Sequence, residues 1–168
     1  EFTLTELEKQ IKKQPNDARY QMVMGMFLAQ TGNPTPALHY LEEALVLSPR
    51  KQSILITTGD VHISLKNYDK AAELSEKAFN LAPDYFTARS FHALALLYNG
   101  EDARAHALLE DKYGQYDDFI PEDDFIWAYL ARGQYEKVLA ASKVKVEGNP
   151  TVIRYRLGVV TSHLKLGQ

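Results

Sequence analysis

Apolar residues along the chain recur at helical spacing, and the recurrence is interrupted at regular intervals. A helical run extends from about Gln52 to Leu65 and ends at Lys66-Asn67-Tyr68-Asp69, whose polar residues suit a tight turn. A second run, Lys70 to Leu81, stops at Ala82-Pro83. Proline lacks the donor a helix needs and restrains the residue before it, so it breaks the pattern cleanly. Asp84, like Asn16-Asp17 earlier, then supplies a side-chain oxygen to cap the next helix start. Pro34 and Pro36 fall at the turn and opening of an earlier second helix, where proline is tolerated. The pattern predicts two helices per unit, joined by a short turn.

The unit repeats. Pro15, Pro49 and Pro83 are each 34 residues apart, and other columns keep that step: Gly25 and Gly59 with Ala93; Ala37, Ala71 and Ala105; Ala44 and Ala78; Leu47 and Leu81. Five columns in one register exclude coincidence. The small residues have a packing reason. Gly25, Gly59 and Ala93 let the paired helix approach, Ala37, Ala71 and Ala105 face them, and Ala44 and Ala78 sit where the next unit comes close. A bulky side chain there would force the backbones apart, at about 1–3 kcal/mol.

The segment Leu55 to Pro83, with Thr58-Gly59, Asn67-Tyr68-Asp69-Lys70-Ala71-Ala72, Lys77-Ala78 and Leu81-Ala82-Pro83, resembles the tetratricopeptide repeat family. The resemblance implies an all-α fold, a right-handed superhelical solenoid of antiparallel helix pairs with about four repeats and a flanking helix at each end. Residues 1–168 are then one domain: a leading helix at 3–14, repeats at 18–51, 52–85, 86–118 and 119–152, and the first helix of a further repeat at 153–168. The third repeat departs from the pattern at its end, where Lys112 and Asp117 replace the expected alanine and proline. Tyr113 to Pro121 reads as a longer, irregular connection leading to a shorter helix. The opening Glu1-Phe2 and the stop at Leu166-Gly167-Gln168 suggest a piece cut from a longer protein.

Composition narrows the function. Net charge is −3 and the pI near 6.0, so no basic surplus is available to neutralise a nucleic-acid backbone. Apolar stretches such as Ala93–Tyr98 are far shorter than the roughly 20 residues of a membrane span, and no basic-then-apolar leader opens the chain. With no cysteine, disulfides, thiol nucleophiles and thiolate metal sites are excluded, while the compartment stays open between cytoplasm and periplasm.

In the family, the first helices line a concave groove that receives a peptide or a partner's helix. Carried onto this chain, the groove-facing positions are Arg19, Met22, Met26 and Gln30, then Ser53, Ile56, Asp60 and Ser64. Thr87, Ser90, Leu94 and Tyr98 follow, and Asp123 and Trp127 belong to the fourth repeat. Family members that clamp a chaperone's C-terminal carboxylate use lysine, arginine and asparagine there. Here Met22, Val23 and Met26 occupy the wall and Asp60 repels an anion, so the groove suits apolar or mixed recognition. Met24 points to the core, whereas Met22 and Met26 share a face as either an adaptable patch or ordinary packing. Tyr129, Tyr135 and Tyr155 read as core aromatics, and His62 and His163 take places where the family often has a ring.

No catalytic, cofactor or metal site is expected. The five histidines lack metalloprotease spacing, and Asp117-Asp118 with Glu122-Asp123-Asp124 lacks the glycine and alternation of a calcium loop. The reading is a non-catalytic scaffold for a protein or peptide, neither nucleic-acid-binding nor membrane-inserted. Two alternatives stand beside it. Ser48-Pro49-Arg50-Lys51-Gln52, Leu96-Leu97-Tyr98-Asn99-Gly100 and Tyr113-Gly114 are similar to the C-terminal repeat domains of bacterial O-antigen ligase and polymerase-like membrane proteins. That similarity implies a recruiting or regulatory segment of a glycopolymer-transferring enzyme. The other alternative is a self-assembling homo-oligomer, since uncapped solenoid ends expose apolar surface.

Overall fold

The computed structural model describes residues 4–113 and 123–167. These form ten α-helices: α1 Leu4–Lys13, α2 Ala18–Gln30, α3 Pro34–Leu47, α4 Gln52–Ser64, α5 Tyr68–Leu81, α6 Phe86–Asn99, α7 Asp102–Tyr113, α8 Asp123–Ala131, α9 Tyr135–Gly148 and α10 Ile153–Leu166. No strand occurs among the described residues. The irregular connection expected at Tyr113 to Pro121 falls almost wholly outside them, as do Asp117, Asp118 and Glu122 of the acidic cluster.

Two kinds of backbone break alternate along the chain. Between the helices of a pair, one residue adopts left-handed geometry: Gly32 (φ 80°), Lys66 (φ 61°), Gly100 (φ 89°) and Gly133 (φ 68°). Each donates its N–H to the carbonyl three residues back, and the next N–H reaches five back: Asn33 to Leu28, Asn67 to His62, Glu101 to Leu96 and Gln134 to Tyr129, at 2.8–3.0 Å. This satisfies carbonyls the helix end would leave unpaired and turns the chain back on itself. Between pairs, the residue before proline is pushed out of helical geometry: Ser48 (φ −144°), Ala82 (φ −155°) and Asn149 (φ −142°). At α2 the predicted cap forms, with Asp17 Oδ1 accepting from the Arg19 N–H at 2.9 Å.

The chain divides into two compact units, Glu1–Ala95 and Leu96–Gln168. In the first, helix pairs meet through small residues. Leu41, fully buried, lies against Gly25, where an added Cβ would stand 2.5 Å from Leu41 Cγ and 3.0 Å from the Ala37 carbonyl. Gly59 makes room differently. A Cβ added there would stand 2.9 Å from the Phe91 ring of α6 and 3.7 Å from the Ala71 carbonyl. Ala44 packs with Ala18 and Ile54, linking one pair to the next, and Met24 is buried as expected.

In the second unit, Tyr129, Ala128, Val138 and Ala141 form the buried centre. Half-buried Arg132 donates to the Leu97 carbonyl at 3.0 Å and to Asp102 Oδ2 at 2.6 Å, bringing α7 and α8 together. Lys137 Nζ stands 3.4 Å from the same carboxylate and 4.8 Å from the centre of the Tyr129 ring. Burial pushes the Asp102 carboxyl up, but the Arg132 hydrogen bond and the Lys137 charge outweigh it and hold the pKa below its ordinary value.

Two substitutions and a control test this framework in urea unfolding. Gly25→Ala is expected to lose about 1–3 kcal/mol, because neither Leu41 nor the Ala37 backbone has room to retreat. Gly148→Ala, with nothing within 4 Å of the added Cβ, is the control and should be neutral or stabilising. Lys66→Gly should stabilise by about 0.5–1 kcal/mol, since it relieves the one described non-glycine residue held at positive φ.

Candidate functional site

The first unit carries most of the groove positions on α2, α4 and α6. Arg19, Met26, Gln30, Ser53, Asp60, Ser64 and Thr87 are exposed, and Met22, Ile56, Ser90 and Leu94 are half-buried. None of these is buried. Met22 wedges between the Ala18–Ala44–Ile54 cluster and the Ala37–Leu41–Val61 cluster, and Ser53 Oγ lies 3.8 Å from its sulfur. It is therefore a packing residue between α2 and α4 with one flank open, while Met26 is the exposed member of the pair. Beside Met26, Val23 and Phe27 stand exposed on α2. Phe27 was not legible as a surface residue, because a phenylalanine at helical spacing ordinarily reads as core. The Arg19 guanidinium is held by its own helix cap, at 2.6 Å from Asp17 Oδ2. That hydrogen bond lowers the Asp17 pKa and raises that of Arg19. In the second unit, Tyr98 is half-buried and Trp127 is 48% exposed. The Asp123 side chain lies outside the described residues.

A buried polar cluster joins α5 and α6. Ser75 Oγ is 2.9 Å from His92 Nδ1 and donates to the Ala72 carbonyl at 2.8 Å. The His92 ring stacks on Phe79 at 5.5 Å, and the Arg89 guanidinium lies 5.1 Å from the same ring while Nε donates to the Pro83 carbonyl. Ser75, Arg89 and His92 are all buried. A serine–histidine contact of this length resembles an activated nucleophile, but both groups are enclosed, away from any substrate in solution.

His62 is buried in the same unit, with Asn67 Nδ2 at 3.4 Å from its Nδ1. His163, by contrast, is half-buried. Desolvation lowers the His62 pKa, with Glu42 opposing and Lys70 reinforcing.

The second unit contains an apolar pocket of about 130 Å³ between α8, α9 and α10. Ile126, Trp127, Val138, Tyr155 and Leu157 line it, and Arg154 is its charged member. A volume of this order holds one small ring or branched side chain. Ser142 also lines it, buried, with a hydroxyl that finds no hydrogen-bond partner. Of the three tyrosines expected in the core, only Tyr129 is fully enclosed; Tyr135 and Tyr155 are half-buried. Tyr155 escapes full burial because its ring forms a pocket wall, with Lys145 Nζ at 5.8 Å and the Arg154 guanidinium at 5.0 Å. Among the described residues, no group of three or more metal-ligating side chains converges, and no helix is long and apolar enough to cross a membrane.

Residues 53–85 match the tetratricopeptide repeat family. No curated protein sequence matches the chain at a significant level. Several solved structures share its fold. TTC0263, a thermophilic tetratricopeptide repeat protein of Thermus thermophilus, aligns at 20% identity over 96% of this chain and 89% of its own, with a TM-score of 0.65. YrrB, described as a tetratricopeptide repeat protein with an unusual peptide-binding site, aligns at 16% identity over 94% of this chain and 82% of its own, with a TM-score of 0.61. A tetratricopeptide repeat protein from Parabacteroides merdae ATCC 43184 aligns at 15% identity over 97% of this chain and 65% of its own, with a TM-score of 0.70. At these identities the likeness is one of fold.

The His62 environment has a measurable consequence. Its folded pKa lies below the unfolded value of about 6.5, so the unfolded chain takes up the proton first as pH falls. Stability is fully present above about pH 6.5 and declines toward the folded pKa. The drop in urea midpoint between pH 7 and pH 5 is expected to be smaller in His62→Phe than in the parent protein.

Proposed function

With a tetratricopeptide repeat at residues 53–85 and the fold of tetratricopeptide solenoids as the premise, we propose that the protein is a non-catalytic scaffold that holds a protein or peptide segment along the first helices of its pairs. Solenoids of this type generally serve protein interaction. Residues 1–168 then act as one domain, with repeats at 18–51, 52–85, 86–118 and 119–152. The observation that carries the reading is the openness of the first-helix positions. No described residue among the fourteen groove positions is buried, although the helices that carry them bury alanines and leucines at other positions. Exposed Val23, Met26 and Phe27 on α2 and Trp127 on α8 offer large apolar side chains of the kinds that dominate contact energy. Asp60 and the Asp17-bound Arg19 leave no free cation on α2 or α4 at these positions to clamp a terminal carboxylate. The partner's contact face is therefore apolar or mixed. YrrB's peptide-binding site shows that this fold accommodates such a use in another protein.

The test is selection of binders from a phage-displayed random peptide library, followed by affinity measurement against Met22→Glu and Tyr98→Ala. At least one variant is expected to weaken binding by roughly ten-fold, the effect of losing one good contact. Unchanged affinity in both, with folding verified by circular dichroism, removes these groove positions from the function.

A further inference from the structure

The apolar pocket between α8, α9 and α10 has a counterpart in the first unit that the chain fills by itself. The left-handed turn residues fix the register: Gly133 follows Lys66 by 67 residues, and Gly167 follows Gly100 by the same 67. At that step Gly158 takes the place of Phe91, Ile126 that of Gly59 and Ser142 that of Ser75. In the first unit the Phe91 ring of α6 comes within 2.9 Å of where a Gly59 Cβ would stand. In the second unit Gly158 brings no side chain to this place, and an open volume of about 130 Å³ lies beside it and Ile126. Helices α8, α9 and α10 wall the pocket, as α4, α5 and α6 surround Gly59. The α10 face formed by Ile153, Val160 and Leu164 takes no part in it.

The lining selects an aromatic occupant. Apolar cavities of roughly this size hold a benzene ring. Trp127, 48% exposed, and Tyr155 stand at the walls and offer an entering ring edge and face partners. Arg154 is the charged lining residue and is exposed. Its Nη2 donates to the Tyr155 hydroxyl at 3.1 Å, which keeps the guanidinium at the edge of the pocket. A carboxylate next to the ring complements that charge. The Ser142 hydroxyl lies against Gly158 and is enclosed, so recognition falls to the rings and Arg154. We propose that this pocket receives the phenylalanine side chain of a bound peptide, with an Asp or Glu beside it in the peptide set against Arg154. The proposal rests on the scaffold reading above, because Trp127 is one of its groove positions.

Trp127 is the single tryptophan of the chain, so its fluorescence in the 168-residue protein reads occupancy of the pocket. The probes are the capped dipeptides N-acetyl-Phe-Glu-amide, N-acetyl-Phe-Gln-amide and N-acetyl-Ala-Glu-amide, with free phenylalanine beside them. The Phe-Glu probe is expected to give a saturable change with a Kd of about 1 mM, the strength available to one anchored side chain. Phe-Gln should bind roughly three-fold more weakly, and Ala-Glu at least about ten-fold more weakly. Thr161→Phe, which fills the pocket from a half-buried wall position, should abolish the response. Arg154→Glu, at an exposed position, should leave Phe-Gln binding in place and remove the advantage of Phe-Glu. Circular dichroism verifies that both variants fold. A response that does not saturate, equal affinity for Phe-Glu and Ala-Glu, or a Phe-Glu preference that survives Arg154→Glu overturns the proposal. Tighter binding of free phenylalanine than of Phe-Glu also overturns it, by assigning the pocket to a small molecule. Met22→Glu and Tyr98→Ala should leave these affinities unchanged, so failure of the groove reading and failure of this one are separable.

Discussion

The structure depends on a single left-handed residue between the two helices of each pair. A helix ends with carbonyls that have no partner within it, and the residue at positive φ closes two of them while reversing the chain. At Gly32, Gly100 and Gly133 the absence of a Cβ makes this geometry free of steric penalty, and at Lys66 the same geometry is imposed on a lysine. Because the reversal is tight, the following helix has only one way to lie, antiparallel to the last and in close contact with it. Everything buried follows from that contact.

Close approach explains where the small residues fall and why they are not interchangeable. Gly25 accepts Leu41 of its own partner helix, whereas Gly59 accepts the Phe91 ring of α6. Both serve the same repeat position, yet the space each opens is filled from a different direction. In the second unit the seam is tighter between α9 and α10, where Ser142 lies directly against Gly158 and its hydroxyl is enclosed without a partner. An unsatisfied buried hydroxyl destabilises by about 1–3 kcal/mol, which the surrounding apolar burial offsets.

Two arginines are held at the chain breaks. Arg132 spans from the Leu97 carbonyl near one turn to Asp102 at the start of α7, and Arg89 returns to the Pro83 carbonyl at the break before its own helix. These long side chains reinforce chain breaks that proline and glycine initiate. Large apolar side chains stand exposed on first helices, Val23, Met26 and Phe27 on α2 and Trp127 on α8.

The repeat, the helix pairing and the turn positions were legible in the sequence, because φ limits act over a few residues and leave glycine and proline at a fixed step. The 34-residue register marked Ala37, Ala44 and Ala71 as close-packing positions from spacing alone, and all three are buried. Periodicity did not separate a wedged side chain from an open one. Met22 and Met26 share a face, yet only Met22 is gripped by two clusters, because its depth is set by Ala44, Ile54 and Leu41 from other helices. Tyr129 and Tyr155 looked alike, and the pocket beside α10 divides them. The Ser75–His92 contact, the Phe91 ring on Gly59 and the pinning of Arg19 by Asp17 likewise depend on which side chains meet in space. Local backbone preference decides the order of helices and breaks; the depth of each side chain is decided by the sizes of the neighbours that packing brings to it, and those neighbours are remote along the chain.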